Sequence, residues 1–228
     1  MGKENKNTQM PDIASDAKTS DVVTNSSEYR IAAIYGSPRR GGNTDLLLNR
    51  FIDGIAECSI FKDGTLRPRV DRIIVSGLGI SPCRECRHCS MDGNCIIKDK
   101  MQDIYPIIIE SNLILVASPV FFTTVYGYLK SFIDRFQRFW ALKYELKRKI
   151  ISAENKKGML FSCAGSKQEN IFDCTKKVMR SFFDVLYTDY YDDFCYNNID
   201  FKGDISKNHE ILKEVYEYAR KGKFINNA

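Results

Sequence analysis

Three features of this sequence predict an α/β fold built on a doubly wound, five-stranded parallel sheet. Short apolar runs of strand length alternate with segments in which apolar residues recur at helical spacing. Five such runs are present, and strands that alternate with helices pair in parallel. A chain of 228 residues with 43% hydrophobic content is also long enough to bury one substantial core.

The chain divides into a tail, residues 1–28, and one domain, residues 29–228. The tail mixes Asn, Thr, Ser, Asp and Lys with few large apolar side chains, so we expect it to be flexible. The first residues, MGKENKNTQM, contain no apolar secretion signal, and no later run approaches the roughly 18 apolar residues of a membrane span. We therefore expect a cytoplasmic protein without a membrane anchor.

The first half of the domain contains two strands, two helices and two distinctive loops. RIAAIY (30–35) and VDRIIVS (70–76) have the apolar content of strands. Helices are predicted for DLLLNRFIDGI (45–55) and for KMQDIYPIIIE (100–110), where Pro106 is a local disturbance. A glycine-rich loop follows the first strand, and a cysteine-rich loop follows the second.

The second half repeats the alternation three times. The predicted strands and helices, in order, are strand 112–119, helix 125–142, strand 157–165, helix 170–186, strand 190–199 and helix 206–222. In sheets of this kind ligands bind outside the carboxyl ends of the strands, where the strand order reverses. The loops after the first, third and fourth strands are therefore the expected binding loops.

The loop GSPRRGGNT (36–44) has the composition of a phosphate-binding turn. Glycines allow close approach of an anion, hydroxyl and amide groups supply hydrogen bonds, arginine supplies charge, and a helix N-terminus follows. The loop matches neither the G-x-x-x-x-G-K-[ST] nor the G-x-G-x-x-G spacing. On composition alone, a glycine-rich turn with a surface arginine pair is an equal alternative.

Four of the eight cysteines lie in one loop, CRECRHCSMDGNC (83–95), with the spacing C-x2-C-x2-C-x5-C. Zinc sites usually take two cysteine pairs from separated segments, and persistent disulfides are rare in reducing compartments. Two-residue gaps recur in iron-sulfur binding runs, and an Asp92–Asn94 turn would return Cys95 as the fourth ligand. The spacing favours a [4Fe-4S] cluster on Cys83, Cys86, Cys89 and Cys95. Zinc and free thiols remain alternatives.

Two segments carry a family resemblance. YGSPRRGGNTDLLL (35–48) and SPVFFTTVYGYLKSFIDRF (118–136) resemble the flavin-binding segments of the flavodoxin-like NAD(P)H-dependent FMN reductases. The cysteine spacing, followed by IIKDKM, is similar to that of the iron-sulfur flavoprotein branch of the same group. The resemblance covers the chain from about Tyr29 to its end. It implies a flavodoxin-like fold with a cysteine-rich loop insertion and bound FMN.

The resemblance also implies binding residues by position. Ser37, Arg39, Asn43 and Thr44 would hold the FMN phosphate, and Arg40 and Gly42 of the same loop are also expected to bind the cofactor. The ribityl chain and flavin ring would be bordered by Pro119, Val120, Phe121 and Phe122. A third, looser match places Ser162, Ala164, Gly165 and Ser166 near the ring. No side chain is predicted to perform acid-base catalysis.

The leading hypothesis is an FMN-dependent redox protein that moves electrons between the cluster and FMN. The resemblance implies a ferredoxin-like donor, a small oxidant as acceptor, and a homodimer or homotetramer. Arg84, Arg87 and a protonated His88 would raise the cluster's reduction potential. The net charge of +5 is dispersed, so no nucleic-acid partner is expected.

The second hypothesis is a cluster-free FMN or quinone reductase that uses NAD(P)H as cosubstrate. The third is a redox or metal sensor that uses the cysteine loop as a switch. The cysteines outside the loop, namely Cys58, Cys163, Cys174 and Cys195, are expected to be buried as small apolar residues. Cys163 is the exception to watch, because it lies in the third predicted flavin-binding loop. The basic residues Lys147, Arg148, Lys149, Lys156 and Lys157 are expected to form a solvated face.

Overall fold

The structure is a computed structural model that describes residues 28–150 and 154–225. The described strands are β1 (Glu28–Tyr35), β2 (Arg67–Ile74), β3 (Leu113–Phe121), β4 (Thr124–Val125), β5 (Lys157–Cys163) and β6 (Asp189–Tyr196). Five of them pair in parallel in the order β2-β1-β3-β5-β6, which confirms the predicted doubly wound sheet. The predicted tail lies outside the described residues, apart from Glu28, which begins β1.

The two-residue strand β4 is an addition that the sequence did not predict. It pairs antiparallel with the end of β3, where Phe121 lies opposite Thr124. The intervening Phe122 and Thr123 have φ angles of 47° and 66°, the backbone conformation that two-residue hairpins require. This hairpin closes the segment that was predicted to border the flavin.

Helices cover both faces of the sheet. The helices of eight or more residues are α1 (Asn43–Ala56), α4 (Met101–Glu110), α5 (Gly127–Asp134), α7 (Asp173–Val185) and α8 (His209–Lys221). Shorter helices are α2 (Ser59–Lys62), α3 (Cys89–Asp92) and α6 (Gln137–Trp140). Helices α1 and α8 pack on one face, whereas α4, α5 and α7 pack on the other. No described helix has the length and apolar character needed to cross a membrane.

Burial of the central strands explains why they read as continuous apolar runs. In β1, Ile31 and Ala33 belong to the core beneath α1 and α8, while Ala32 and Ile34 belong to the opposite core. Strand β3 is buried in the same two-sided way over its first six residues. When both faces of a strand are covered, every side chain is buried, so an apolar residue stabilises the fold at each position.

The predicted helix 125–142 is wrong as a single element. Helix α5 ends at Asp134, α6 begins at Gln137, and residues 141–145 form a π-helical turn. At the break, the Arg135 N–H bonds to the carbonyl three residues earlier, and the Tyr105 hydroxyl donates to the Arg135 carbonyl at 3.0 Å. The Arg135 side chain, which lies at this break, is buried.

Other boundaries differ from the predictions by a few residues. Strand β2 ends at Ile74 and continues into a 3₁₀ turn, and β6 ends at Tyr196. Helix α8 begins at His209 because the Asn208 side chain accepts a hydrogen bond from the Ile211 N–H, a typical N-cap. Pro106 lies inside α4 without ending it.

Candidate functional site

The loop after β1 is held in shape by its own contacts. The buried Ser37 hydroxyl accepts a hydrogen bond from the Arg39 N–H at 3.1 Å. Gly41, whose φ is +64°, donates its N–H to the Asp45 carboxylate at 2.9 Å. Arg40 forms an ion pair with the same carboxylate at 3.3 Å. The loop is therefore preformed at the start of α1.

This loop forms one wall of a cavity of about 200 Å³. The cavity lies beside the carboxyl ends of β3 and β5, which supply its opposite wall. The predicted flavin-binding residues that line it are Ser37, Arg39, Gly42, Asn43, Thr44, Pro119, Val120, Phe121 and Gly165. Residues from all three predicted binding loops thus meet in one place.

The donors in this cavity fit a phosphate-bearing ligand. The Thr44 hydroxyl is buried and makes no hydrogen bond to any described residue. It lies in the first turn of α1, whose positive dipole end favours an anion. Arg39 is exposed and adds positive charge at the cavity. An unsatisfied buried hydroxyl costs free energy unless a ligand completes it, as a phosphate would.

Five predicted residues do not line the cavity. Arg40 is bound to a carboxylate, the Ser162 hydroxyl donates to a β3 carbonyl, and the Ser166 hydroxyl accepts a backbone N–H in its own loop. Ala164 is buried in a small apolar cluster, and Phe122 is 97% exposed at the hairpin. Their predicted contacts with a flavin stay predictions.

Asn43 has a further role that the sequence did not reveal. Its side chain donates to the Phe201 carbonyl at 2.8 Å and accepts from the N–H groups of Gly203 and Ile205 at 2.9 and 3.3 Å. These bonds fasten the loop after β6 beside the phosphate loop.

The loop after β6 brings three unpredicted residues to the cavity, namely Ile199, Asp200 and Lys202. The Asp200 carboxyl packs against Gly165 so closely that a Cβ there would overlap it. These residues lie almost 160 positions from Asn43 in the chain, so no local pattern identifies them. The local sequence does contain a glycine, Gly203, where this loop turns with a φ of +89°.

All four cysteines of the cysteine-rich loop line a second cavity of about 130 Å³. The other walls come from the segment after the break in the predicted long helix, including Arg135, Arg138 and Trp140. The four thiols whose spacing suggests a common site therefore lie around one cavity. Of the described residues that line the two cavities, none is common to both.

The backbone of this loop turns repeatedly. Glu85 and Arg87, on either side of Cys86, have φ angles of 50° and 55°, which non-glycine residues seldom adopt. Gly93, with φ of +84°, forms the predicted turn, and the Asp92 carboxylate accepts the Asn94 N–H at 2.8 Å. These turns bring cysteines separated by two or five residues to one cavity.

The thiols discourage one another from ionising. Burial raises the pKa of Cys89, and the nearby Cys83, Cys95 and Cys86 raise it further because thiolates repel. Four thiolates at one place require a compensating cationic group, as in metal and iron-sulfur sites.

Within the described ranges, no group of three or more His, Cys, Asp or Glu side chains is arranged to hold one metal ion. Four cysteines that line one cavity match the number of ligands that a [4Fe-4S] cluster takes.

Arginines hold the cysteine loop against the rest of the fold. Arg138 donates to the Gly93 carbonyl at 3.0 Å and to the Asn94 side chain at 3.3 Å. Its guanidinium also lies over the Tyr105 ring, 4.7 Å from the centroid. The predicted basic residues Arg84 and Arg87 line the cavity from its exposed side.

Two expectations about the remaining residues need correction. Cys58 and Cys163 are buried as predicted, but Cys174 is exposed and Cys195 is only half-buried. Burial raises the pKa of Cys163 to about 12, so this thiol is protonated. It lines the cavity beside the carboxyl ends of β3 and β5. Lys156 does not belong to a solvated face, because it is 2% exposed and caps the end of α4.

Comparisons with known proteins agree with this geometry. Residues 29–184 match the family model described as NADPH-dependent FMN reductase. The iron-sulfur flavoprotein of Methanosarcina thermophila is 28% identical over 138 residues, which are 60% of this chain and 64% of that protein. The iron-sulfur flavoprotein of Methanocaldococcus jannaschii is 31% identical over 121 residues, 53% of this chain and 58% of that protein. The matched region is thus less than two thirds of either relative.

A solved structure shows the same fold. The NAD(P)H:quinone oxidoreductase from Methanothermobacter marburgensis superposes with a TM-score of 0.59 at 14% identity. The superposition covers 88% of this chain and 99% of that chain. At this identity the likeness concerns the fold alone.

Proposed function

Since this chain belongs to the NADPH-dependent FMN reductase family, we propose that it is a flavin-dependent oxidoreductase that moves electrons between FMN and a [4Fe-4S] cluster. The observation that carries this proposal is the single cavity lined by Cys83, Cys86, Cys89 and Cys95. FMN transfers one or two electrons and the cluster transfers one, so the pair couples one-electron to two-electron carriers.

In the cavity beside β3 and β5, the role proposed for this chain's residues is to bind and orient FMN. The Thr44 hydroxyl, the α1 N-terminus and Arg39 would hold the phosphate, and Asn43 would keep Lys202 and Asp200 beside it. Pro119, Val120 and Phe121 would border the ring. The protonated Cys163 thiol leaves that part of the wall uncharged.

At the cluster end, the four cysteines supply the ligands and the surrounding arginines supply positive charge. A four-thiolate cluster carries negative charge that grows on reduction, so nearby cations favour the reduced form. Trp140 also lines this cavity and is 38% exposed.

The proposed electron donor is a ferredoxin-like protein, and the acceptor is a small oxidant such as oxygen or peroxide. Acidic carriers would be steered by exposed basic side chains, namely Arg84 and Arg87 on the cysteine loop and residues 147–149 after the π-helical turn. The protein acts as a homodimer or homotetramer, in which the cluster of one subunit serves the flavin of another. That arrangement fits two cavities without a shared lining residue.

The alternative function is a cluster-free FMN or quinone reductase that takes hydride from NAD(P)H. The description of the matching family favours it, because that description names NADPH and no iron. In that case the four cysteines would be free thiols or would hold zinc.

The deciding experiment is purification without oxygen, followed by measurement of iron, acid-labile sulfide, zinc and released flavin per chain. The proposal predicts about four irons and four sulfides together with FMN. A Cys89→Ser variant should lose the iron and keep the flavin. FMN without iron or sulfide, even after anaerobic reconstitution, would overturn the cluster and favour the alternative.

A further inference from the structure

Arg135 is an arginine whose side chain is wholly buried, with 0% exposure. One end of its guanidinium, Nη1, donates to the Ser81 carbonyl at 2.8 Å and to the Asp99 carboxylate at 2.6 Å. The other end, Nη2, donates to the Ile97 carbonyl at 3.3 Å and lies 3.6 Å from the Cys95 sulfur. Burying an arginine costs folding free energy unless acceptors are available for its N–H groups. The acceptors around Arg135 offset that cost.

These contacts join the two ends of the cysteine loop. Ser81 precedes Cys83, whereas Ile97 and Asp99 follow Cys95. The Asp99 carboxylate reinforces the junction, because it also accepts the Ser81 N–H at 3.0 Å and the Met101 N–H at 3.1 Å. Arg135 and Asp99 therefore close the loop at its base.

The same side chain reaches a cluster ligand. Among the basic residues that line the cavity, Arg135 is the buried one that contacts a cysteine sulfur, while Arg84 and Arg87 are exposed to solvent. Water screens exposed charges but not buried ones. The Arg135 Nε–H is buried and has no acceptor among the described residues.

We propose that Arg135 is a positioning residue that closes the cysteine loop and, by donating to the Cys95 thiolate, makes the bound cluster easier to reduce. The inference rests on the proposed function, because it concerns the cluster held by that site. Hydrogen bonds to ligand sulfur are among the factors that set cluster potentials. Arg135 touches no reacting atom and acts through Cys95.

The test compares Arg135→Gln with the matched control Arg138→Gln. Both variants remove one positive charge beside the cysteine loop, but Arg138 contacts no cysteine sulfur in the described structure. Redox titration of the purified holoprotein gives the cluster midpoint potential. For Arg135→Gln we expect at least a tenfold shift toward the oxidised form, about 59 mV for a one-electron couple, and a smaller shift for the control.

Arg135→Lys separates charge from geometry. It keeps the positive charge but has no planar fork to reach both Asp99 and Cys95. We expect a potential between those of the wild type and Arg135→Gln, together with faster loss of iron to a chelator. This variant also carries the test if Arg135→Gln does not fold. Wild-type potential and iron retention in Arg135→Lys, or equal shifts in the two glutamine variants, would overturn the inference.

A measurement on iron-free protein separates this inference from the proposed function. Because Asp99 bonds to the Ser81 and Met101 amides, hydrogen exchange at these two positions should be faster in Arg135→Gln than in Arg138→Gln. Equal exchange overturns the loop-closing role whether or not the wild type binds iron. Absence of iron and sulfide from the wild type defeats the proposed cluster and, with it, the effect on potential.

Discussion

Gly93 is the residue at which the cysteine loop turns back toward its base. Its φ of +84° lies in the left-handed region, and an added Cβ would overlap the buried Leu142 side chain. Gly93→Ala therefore combines backbone strain with overpacking, which together cost about 2–4 kcal/mol. We expect that loss in the free energy of unfolding, measured by urea denaturation, and a lower iron content.

Gly64→Ala is the matched control for this prediction. Gly64 has nearly the same φ, +80°, but no described heavy atom lies within 4 Å of a Cβ placed there. It should lose only the backbone contribution, about 1 kcal/mol, and keep its iron. Equal losses in the two variants would show that the contact with Leu142 is unimportant.

Lys156 gives the protein a distinctive pH dependence. Burial lowers its pKa to about 8, compared with 10.5 in an unfolded chain. Between these values the unfolded state binds a proton that the folded state does not, so the free energy of unfolding should rise with pH. The rise is on the order of 3 kcal/mol if the whole pKa difference is expressed.

The measurement compares wild type with Lys156→Met from pH 7 to 10.5. Below pH 8 both states of the wild type carry the proton, so the difference between the proteins should be constant there. Above pH 8 the wild type should gain stability relative to the variant. Parallel curves would mean that the carbonyls of Ile108 and Ile109, which accept from the ammonium at 2.8 and 2.9 Å, keep it charged.

Single residues were predictable where spacing carries the information. The two-residue gaps between cysteines limit how far their thiols can separate, and the four indeed share a cavity. Arg135 and Lys156 were not recognised, because a charged residue among apolar neighbours is normally assumed to reach solvent. A usable signal existed for Arg135, since it follows Phe132 by three positions and thus falls on the buried side of the predicted helix.

At the scale of elements, Asn43 links helix α1 to the loop after β6 through three hydrogen bonds. Asn43→Ala should release that loop and with it Lys202 and Asp200. We expect FMN affinity to fall about tenfold, equivalent to about 1.4 kcal/mol. Flavin fluorescence titration would measure the affinity, and hydrogen exchange at Gly203 and Ile205 would report on the loop.

Asn49→Ala, in the same helix, is the control for this change. Asn49 accepts a hydrogen bond from the Tyr35 hydroxyl at 2.6 Å and does not line the cavity. Its loss should leave FMN affinity and exchange at Gly203 near wild type. If Asn43→Ala also binds FMN normally while the loop exchanges faster, the loop contributes nothing to flavin binding.

The elements of the sheet were predictable, whereas the segment after β3 was not. The continuous apolar runs of the central strands β1 and β3 reflect burial on both faces. The break after Asp134 depends on partners distant in the chain, including Tyr105, Ser81 and Asp99. Helical periodicity continues through the break, so the pattern alone predicts one helix.

At the scale of the whole molecule, the two cavities lie in separate surroundings. One lies at the carboxyl ends of β3 and β5, and the other lies between the cysteine loop and the segment that contains α6. Partly exposed aromatic residues border both, with Phe121 at the first and Trp140 at the second.

If electrons pass between subunits, two defective chains should complement each other. Cys95→Ser removes a cluster ligand, and Arg39→Glu places a negative charge at the proposed phosphate site on an exposed side chain. Each variant alone should fail to reduce FMN with a reduced ferredoxin as donor. Co-expressed with different affinity tags and isolated as mixed dimers, they should recover about half the rate of the wild type, because one of two cluster-flavin pairs is intact.

The same mixture distinguishes transfer within a subunit. In that case no chain of the mixed dimer has both cofactors, and the rate should stay at the level of the separate variants. Iron and flavin contents must each be near half of the wild-type values for the comparison to hold. Recovery with those contents would require the flavin of one subunit to lie within electron-transfer distance of its partner's cysteine loop.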